Sequence, residues 1–271
     1  MHIFIKDDFD LHKIIHSGQC FRAVEMDNGV FRFTTKSHVL YIRHIKGIHY
    51  DVSCSRYLWT HVWKPYFDLS ENYRNICNTI DRNDLYLQKA AAYSRGIRIL
   101  KQDPWETMIT FIISQRKSIP AISTSVEKLC HMAGNQIETP MESVYTFPSP
   151  EKLAALPEED LRACSLGYRI PYIHKTAEII KKSPHLFEDM AAYDDEKLLE
   201  SLMDLPGIGI KVASCIALFS FHRIALAPVD VWIQRVIDRF YEGRNPFPSY
   251  GNRAGIMQQY LFYYAQSTGM K

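Results

Sequence analysis

A lysine and an aspartate that follow a glycine-containing turn are the residues of this chain best suited to chemistry. Residues 205–209 read Leu-Pro-Gly-Ile-Gly, Lys211 follows almost directly, and Asp230 ends a Pro-Val-Asp sequence further on. Gly207 and Gly209 let the backbone approach a phosphate closely, and the free N–H groups of the next helix point at it. Such a turn grips a nucleic-acid backbone without reading its sequence. An amine and a carboxylate beside a gripped phosphate suit a reaction at a sugar carbon.

The elements that must position these two residues are short helices. The turn predicts a helix-hairpin-helix with Lys211 just inside its second helix, and Asp230 is the expected N-cap of the helix after it. A passive alternative stays open, in which Lys211 is a phosphate-facing surface lysine and Asp230 only a helix cap. The hairpin alone also serves as a grip in ligases, polymerases and nuclease subunits, so the specific signal is its combination with the lysine and Pro-Val-Asp.

Composition limits the class of protein without choosing it. The 271 residues carry a formal net charge of +2, so any nucleic-acid footprint must be a local basic patch. The six cysteines never form a C-x-x-C pair, which suits a reducing compartment and predicts neither a zinc nor an iron–sulfur site. His12 and His16 are spaced i, i+4, but no H-E-x-x-H pattern and no nearby third ligand accompany them, so no metal is expected.

The ends and the apolar runs of the chain bear on localisation. The N-terminus has no apolar signal region, and no apolar run approaches membrane-spanning length. We therefore expect an intracellular protein of the cytoplasm or nucleoid, or of the nucleus in a eukaryote, without membrane contact.

The hydrophobic periodicity of the sequence changes once, from strand-like alternation to helical spacing, and this change predicts an α+β fold. Residues 30–34 and 39–43 alternate in polarity between turn signals and predict antiparallel strands. From about residue 51 the apolar spacing is helical, and signals for helix starts recur at residues 103–106, 149–151, 157–159 and 183–184. We expect an N-terminal antiparallel sheet domain with a flanking helix over residues 1–80, packed on a mostly helical body over residues 81–271.

The hairpin, lysine and Pro-Val-Asp together resemble the helix-hairpin-helix/Gly-Pro-Asp superfamily of DNA glycosylases. Four further segments are similar to its eukaryotic-type 8-oxoguanine DNA glycosylase/AP lyases, in the form of a short, bacterial- or archaeal-looking member. They are the Ser-Gly-Gln-x-Phe-Arg motif at residues 17–22, the helix and polar turn at 102–119, Leu-Gly-Tyr-Arg at 166–169, and the C-terminal helix at 254–262. The matches run in order along nearly the whole chain.

The resemblance implies a pocket for an extruded base. In the family the carbonyl at Gly18 accepts the N7–H that distinguishes oxidised guanine, the amide at Gln258 reads the Watson–Crick edge, and the ring at Phe262 stacks on the base. Cys215, one turn beyond the lysine, would close the other side. Alternatives remain for single residues: Gly18 as a simple turn, and Phe262 and Cys215 as ordinary core.

The resemblance also implies contacts to the duplex. Tyr168 would wedge beside the orphaned base and Arg169 would donate to it, while Arg116 stands where the family has asparagine and is either a plug in the duplex or part of a solvated basic loop. Two further departures are notable. Ala121 replaces a second arginine for the orphaned cytosine, which predicts a weaker preference for cytosine opposite the lesion, and Trp232 replaces a phosphate-binding histidine.

The implied activity is bifunctional DNA glycosylase/AP lyase action in base excision repair. Lys211 is the implied nucleophile at C1′, with Asp230 stabilising the charge that develops on the sugar, and the resulting Schiff base permits β-elimination. The partner is double-stranded DNA containing an oxidised guanine, bound by a monomer. No cofactor or catalytic metal is expected, although the family suggests a monovalent cation at the hairpin. The alternatives are a non-catalytic helix-hairpin-helix DNA-binding protein and a glycosylase for another damaged base.

Overall fold

The N-terminal part of the chain forms a five-stranded sheet. The computed structural model describes residues 1–270. The strand order is β1-β5-β4-β3-β2, and the β1–β5, β4–β5 and β2–β3 pairs are antiparallel. A small antiparallel hairpin, β6–β7, lies later in the chain. The strands are β1 (His2–Phe4), β2 (Val24–Glu25), β3 (Val30–Thr35), β4 (His38–Lys46), β5 (His49–Val52), β6 (Gln136–Glu138) and β7 (Ser143–Tyr145).

Helices make up most of the rest of the described chain, as the sequence predicts. They are α1 (Leu11–Ile15), α2 (Arg56–Leu58), α3 (Lys64–Tyr66), α4 (Tyr73–Asn78), α5 (Leu85–Ser94), α6 (Pro104–Ser114), α7 (Ile119–Ala133), α8 (Pro150–Ala155), α9 (Glu158–Ala163), α10 (Ile170–Lys182), α11 (Leu186–Ala191), α12 (Asp195–Met203), α13 (Ile210–Phe219), α14 (Val231–Phe240) and α15 (Ala254–Thr268). A π-helical stretch (Trp59–Trp63) joins α2 to α3, and short 3₁₀ turns occupy Asp27–Gly29, Gly167–Arg169 and Phe247–Arg253.

Local signals explain where several of these elements begin. The predicted starts at Asp103 and Ser149 are confirmed, because each side chain accepts a hydrogen bond from the backbone N–H three residues on. The predicted start at residues 183–184 is wrong, since α11 begins at Leu186. The mostly helical part of the chain begins at α2 rather than at about residue 51, because β5 continues to Val52 and its backbone pairs with β4.

The chain forms two compact units. The first contains residues 1–32, 40–101 and 222–271, and the second contains residues 33–39 and 102–221. The first unit thus contains most of the sheet together with α15, and the second contains α6 to α13. The predicted sequence boundary between residues 80 and 81 stays a prediction. Over residues 1–270 no helix has the length and apolar character needed to cross a bilayer.

Candidate active site

The hairpin in the second unit is shaped by two glycines with different constraints. Gly207 has a left-handed φ of 78°, and a Cβ there would lie 2.5 Å from Cγ of Tyr172, so only glycine fits. Gly209 caps α13 in extended backbone, and a Cβ there would meet nothing within 4 Å. The turn is therefore packed at Gly207 and open at Gly209, where the first N–H groups of α13 lack intrahelical acceptors.

Lys211 lies in the first turn of α13 and is half-buried. Its Nζ is 5.5 Å from the ring centroid of Phe111, which stacks on Phe219. No hydrogen bond or ion pair joins its ammonium group to any of residues 1–270. Cys215, one turn further along the same helix, is 4% exposed. The amine is therefore available to a ligand, whereas most of α13 after it is core.

Gln115, the C-cap of α6, connects its own turn to the hairpin turn and to the Gly167–Arg169 turn. The resemblance implies DNA contacts for all three turns. The glutamine's Nε2 donates to the Gly207 carbonyl at 3.0 Å, its backbone oxygen accepts from Nη2 of Arg169, and the Tyr168 hydroxyl lies 3.5 Å from that same oxygen. Gln115 was not among the residues predicted to contact DNA. Its signal was a polar side chain at the C-cap of an apolar helix, directly before Arg116.

Arg116 and Lys117 have different environments although both lie in the turn after α6. Arg116 is exposed, has a left-handed φ of 54°, and makes no hydrogen bond within the described chain. Lys117 donates to Ser125 Oγ at 2.7 Å and to the Ser165 carbonyl at 2.6 Å. Burial, with a smaller contribution from Arg169, lowers the pKa of Lys117. Only Arg116 is thus free to reach a ligand.

The 3₁₀ turn at Gly167–Arg169 presents an aromatic ring. Tyr168 is 51% exposed, whereas Arg169 is 5% exposed with its Cζ 4.4 Å from the Tyr168 ring centroid. The Arg169 Nη1 donates to the Leu166 carbonyl at 3.3 Å, and its Nε is buried without a partner among residues 1–270. Tyr168 is therefore placed to stack on a ligand, and Arg169 supports it from beneath.

Asp230 lies in the first unit and is the N-cap of α14, as predicted. Its Oδ1 accepts from the Ile233 N–H at 2.8 Å, and its backbone is extended. The other carboxylate oxygen makes no hydrogen bond to residues 1–270. One oxygen of the half-buried carboxylate fixes the helix start, and the second stays available.

The first unit also brings the Gly18 loop against α15. Gly18 has a φ of 74°, and the Gln259 Nε2 on α15 donates to the carbonyl of its neighbour Ser17. Gln258 is 4% exposed, yet its Oε1 has no hydrogen-bond partner among residues 1–270. Phe262, one turn along the helix, is half-buried. A buried amide oxygen without a partner costs about 1–3 kcal/mol, so its presence points to a ligand that supplies the missing donor.

Ala121 and Trp232, which also depart from the family pattern, lie in different units. Ala121 is half-buried on α7 in the second unit. Trp232 is half-buried on α14 in the first, where the Arg235 guanidinium lies 5.5 Å from its ring centroid. Neither side chain reproduces the charged donor that the resemblance associates with its position.

These features define a helix-hairpin-helix protein in which a lysine amine and a buried glutamine oxygen have no hydrogen-bond partner among residues 1–270, and comparison with characterised families gives the same class. Residues 109–252 match the HhH-GPD superfamily of base excision DNA repair proteins, and residues 2–108 match the 8-oxoguanine DNA glycosylase N-terminal domain. The chain belongs to the HhH-GPD superfamily, in the branch that has this N-terminal domain.

Individual relatives agree with this assignment. A probable N-glycosylase/DNA lyase of Methanothermobacter thermautotrophicus is 32% identical over 239 residues, covering 75% of this chain and 72% of that protein. The structure of MBOgg1 in complex with a low-affinity DNA ligand has a TM-score of 0.94 at 32% identity, covering 99% of this chain and 96% of that one. The Clostridium acetobutylicum 8-oxoguanine glycosylase/lyase, in complex with DNA containing cytosine opposite 8-oxoguanine, has a TM-score of 0.91 at 31% identity, covering 99% and 98%. The predicted family and α+β fold are confirmed.

Proposed function

We propose that this protein is a bifunctional DNA glycosylase/AP lyase that excises 8-oxoguanine from duplex DNA and then cleaves the strand. The names of its relatives support both activities, since they include an N-glycosylase/DNA lyase and an 8-oxoguanine glycosylase/lyase. The observation within this chain that carries the proposal is Lys211, a half-buried amine that makes no hydrogen bond or ion pair to residues 1–270 and lies beside an open hairpin turn.

The proposed reaction begins with extrusion of the damaged nucleotide, because C1′ is inaccessible within the duplex. The neutral amine of Lys211 attacks C1′, the N-glycosidic bond breaks, and the base leaves with its bonding electrons. The free oxygen of Asp230 stabilises the positive charge on the sugar. The Lys211 nitrogen loses a proton, which the departing base takes up, and cleavage of the C1′–O4′ bond opens the sugar ring to give an imine. The imine acidifies the C2′ proton, and loss of that proton expels the 3′ phosphate. Lysine suits this role because its amine can be neutral, whereas arginine stays charged.

Recognition of the base is assigned to the first unit together with Cys215. The Gly18 carbonyl accepts the N7–H of oxidised guanine, and normal guanine leaves that carbonyl facing an acceptor. The Gln258 amide pairs with the Watson–Crick edge, which would satisfy its unpartnered oxygen. Phe262 and Cys215 contact the two faces of the base.

Duplex binding is assigned mainly to the second unit. Backbone N–H groups at Gly207 and Gly209 hold a phosphate. Tyr168 stacks beside the orphaned base, and this stacking stabilises the complex by about 1–3 kcal/mol. Arg116 fills the gap left by extrusion, while Arg169 supports Tyr168 and reaches the orphaned base only after rearranging. The reaction needs no redox cofactor or catalytic metal. A monovalent cation at the hairpin, a monomeric state and an intracellular location stay predictions.

Lys211→Gln tests the shared-residue mechanism. Base release and strand cleavage should both fall by at least about a thousandfold, as expected when a nucleophile is removed. Duplex binding should stay close to that of the wild type, because backbone groups make the grip. Lys182→Gln, at an exposed lysine near the end of α10, is the matched control.

Reductive trapping distinguishes an enzyme from a passive binder. Borohydride should link the wild-type protein covalently to DNA containing 8-oxoguanine or an abasic site, and should leave Lys211→Gln unlinked. Near-normal nicking of abasic DNA by Lys211→Gln would refute the mechanism. Duplexes that contain 3-methyladenine or thymine glycol test the alternative of another damaged base, since preferential cutting of either would overturn the assigned substrate.

A further inference from the structure

A cluster of metal-binding side chains lies on the surface of the first unit and includes none of the residues assigned to catalysis. His12 lies on α1, His16 is the C-cap of that helix, and Glu25 lies on β2. One ligand atom from each residue lies within 4.8 Å of the other two. The sequence showed the two histidines at i, i+4 without a third ligand nearby, and the fold corrects this because β2 brings Glu25 to them.

The contacts within the cluster show that the three side chains face one another. The His12 Nδ1 is 2.8 Å from Glu25 Oε2, and the ring centroids of His12 and His16 are 4.5 Å apart. All three residues are exposed, so their side chains can rotate without disturbing the core. Ligand atoms around a tetrahedral zinc are about 3.3 Å apart, given bond lengths of about 2.0–2.1 Å. Small side-chain rotations therefore suffice to close the site.

We propose that His12, His16 and Glu25 bind a divalent transition metal ion, with Zn²⁺ as the expected occupant. Two imidazole nitrogens and one carboxylate oxygen favour zinc over Mg²⁺ or Ca²⁺, which prefer oxygen ligands. Three protein ligands leave one position for water, so the site differs from a closed four-ligand structural site.

A metal bound at this cluster would restrain the loop that contains Gly18. His16 directly precedes Ser17 and Gly18, and Glu25 ends the segment that follows them. Metal binding therefore holds together the two ends of residues 17–24, the loop that contains Gly18. Opening of this loop should become rarer when the metal is bound, whatever reaction the protein catalyses.

Calorimetric titration with Zn²⁺ tests the site. The wild-type protein should bind one zinc at this cluster, and His16→Ala and Glu25→Gln should each weaken binding by at least about tenfold, the loss produced by removing even an outer partner of a metal ligand. His185→Ala is the matched control, because His185 forms an exposed pair with Glu188 at 3.1 Å but has no second histidine beside it. Unchanged affinity in His16→Ala and Glu25→Gln would overturn the proposal.

Two further measurements test which side chains bind the metal and whether the metal restrains residues 17–24. Co²⁺ should give visible d–d bands without the intense near-ultraviolet absorption of thiolate ligands, and a thiolate signature would assign binding to cysteines and overturn the site. Hydrogen exchange at residues 17–24 should slow on adding Zn²⁺ to the wild type but not to His16→Ala. Equal exchange with and without Zn²⁺ in the wild type would overturn the effect on the loop. Thermal unfolding of each variant without metal confirms that the fold is intact.

Discussion

Replacing Gln258 with methionine should make the free protein more stable and less able to remove a base. The Gln258 Oε1 is buried without a hydrogen-bond partner in the described chain, which costs about 1–3 kcal/mol. Methionine has a similar unbranched shape and helix propensity but no polar atom that needs a partner. We expect the free energy of unfolding to rise by about 1–2 kcal/mol, equivalent to roughly 2–8 °C in Tm for a chain of this size.

The adjacent residue, Gln259, supplies a control in which the change in the free energy of unfolding should have the opposite sign. Gln259 is also buried on α15, but its Nε2 donates to the carbonyl of Ser17, which is itself fully buried. Gln259→Met leaves that carbonyl without its donor and should destabilise the protein by about 1–3 kcal/mol. The two variants make the same chemical change in the same helix, so only the hydrogen-bonding state of the amide differs.

Urea unfolding measures the stability of both variants, and single-turnover assays measure their function. Gln258→Met should slow release of 8-oxoguanine by about one to two orders of magnitude, equivalent to losing a hydrogen bond of about 1–3 kcal/mol in the transition state. Its cleavage of a preformed abasic site should change little, because no base is then present. A Gln258→Met protein that unfolds as easily as Gln259→Met would refute the claim that the Gln258 amide lacks a partner.

Three other perturbations have outcomes that follow from the local geometry. Gly207→Ala should destabilise the fold by about 1–3 kcal/mol through its positive φ and its contact with α10, whereas Gly209→Ala should fold normally and bind duplex DNA more weakly; equal unfolding midpoints would contradict this. Arg116→Asn should raise stability slightly, since asparagine tolerates the left-handed region, while weakening DNA binding and its salt dependence; unchanged binding would exclude Arg116 from the interface. Burial of Asp68 raises its pKa, but hydrogen bonds and charge from His222 and Lys101 outweigh this and leave the pKa below the ordinary value of an aspartate. The stability it contributes is therefore complete above about pH 4 and is lost as the pH falls through the lower folded value. In Asp68→Asn that acid loss should be smaller, and an identical pH profile of urea unfolding would refute the assignment.

Features set by neighbouring residues could be predicted from the sequence. The caps at Asp103, Ser149 and Asp230 depend on a side chain and a backbone N–H three residues away, so the pattern is sufficient to find them. The strand pair β3–β4 was predictable for the same reason, because turn residues flank alternating segments. The change from alternating segments to helical apolar spacing predicts the α+β fold in the same way.

Features that depend on tertiary contacts could not be predicted in this way. Glu25 meets His16 only because β2 returns beside α1, and nothing in the local spacing encodes that return. Gln115 joins the Gly207 and Arg169 turns, which lie far from it in sequence, through contacts that exist only in the fold. The small hairpin β6–β7 was also missed, because strands of three residues produce too little periodicity to detect.

The contrast between Lys117 and Lys211 shows why a basic residue near a turn is weak evidence until its partners are known. Both lysines belong to the second unit and both follow a segment implied to contact DNA. The Lys117 ammonium donates to a hydroxyl and a carbonyl, so it stabilises the protein and has little capacity left for a ligand. The Lys211 ammonium has no such partner and faces an aromatic ring instead. A nucleophilic amine must be free to move toward carbon, and of these two lysines only Lys211 can do so without breaking existing hydrogen bonds.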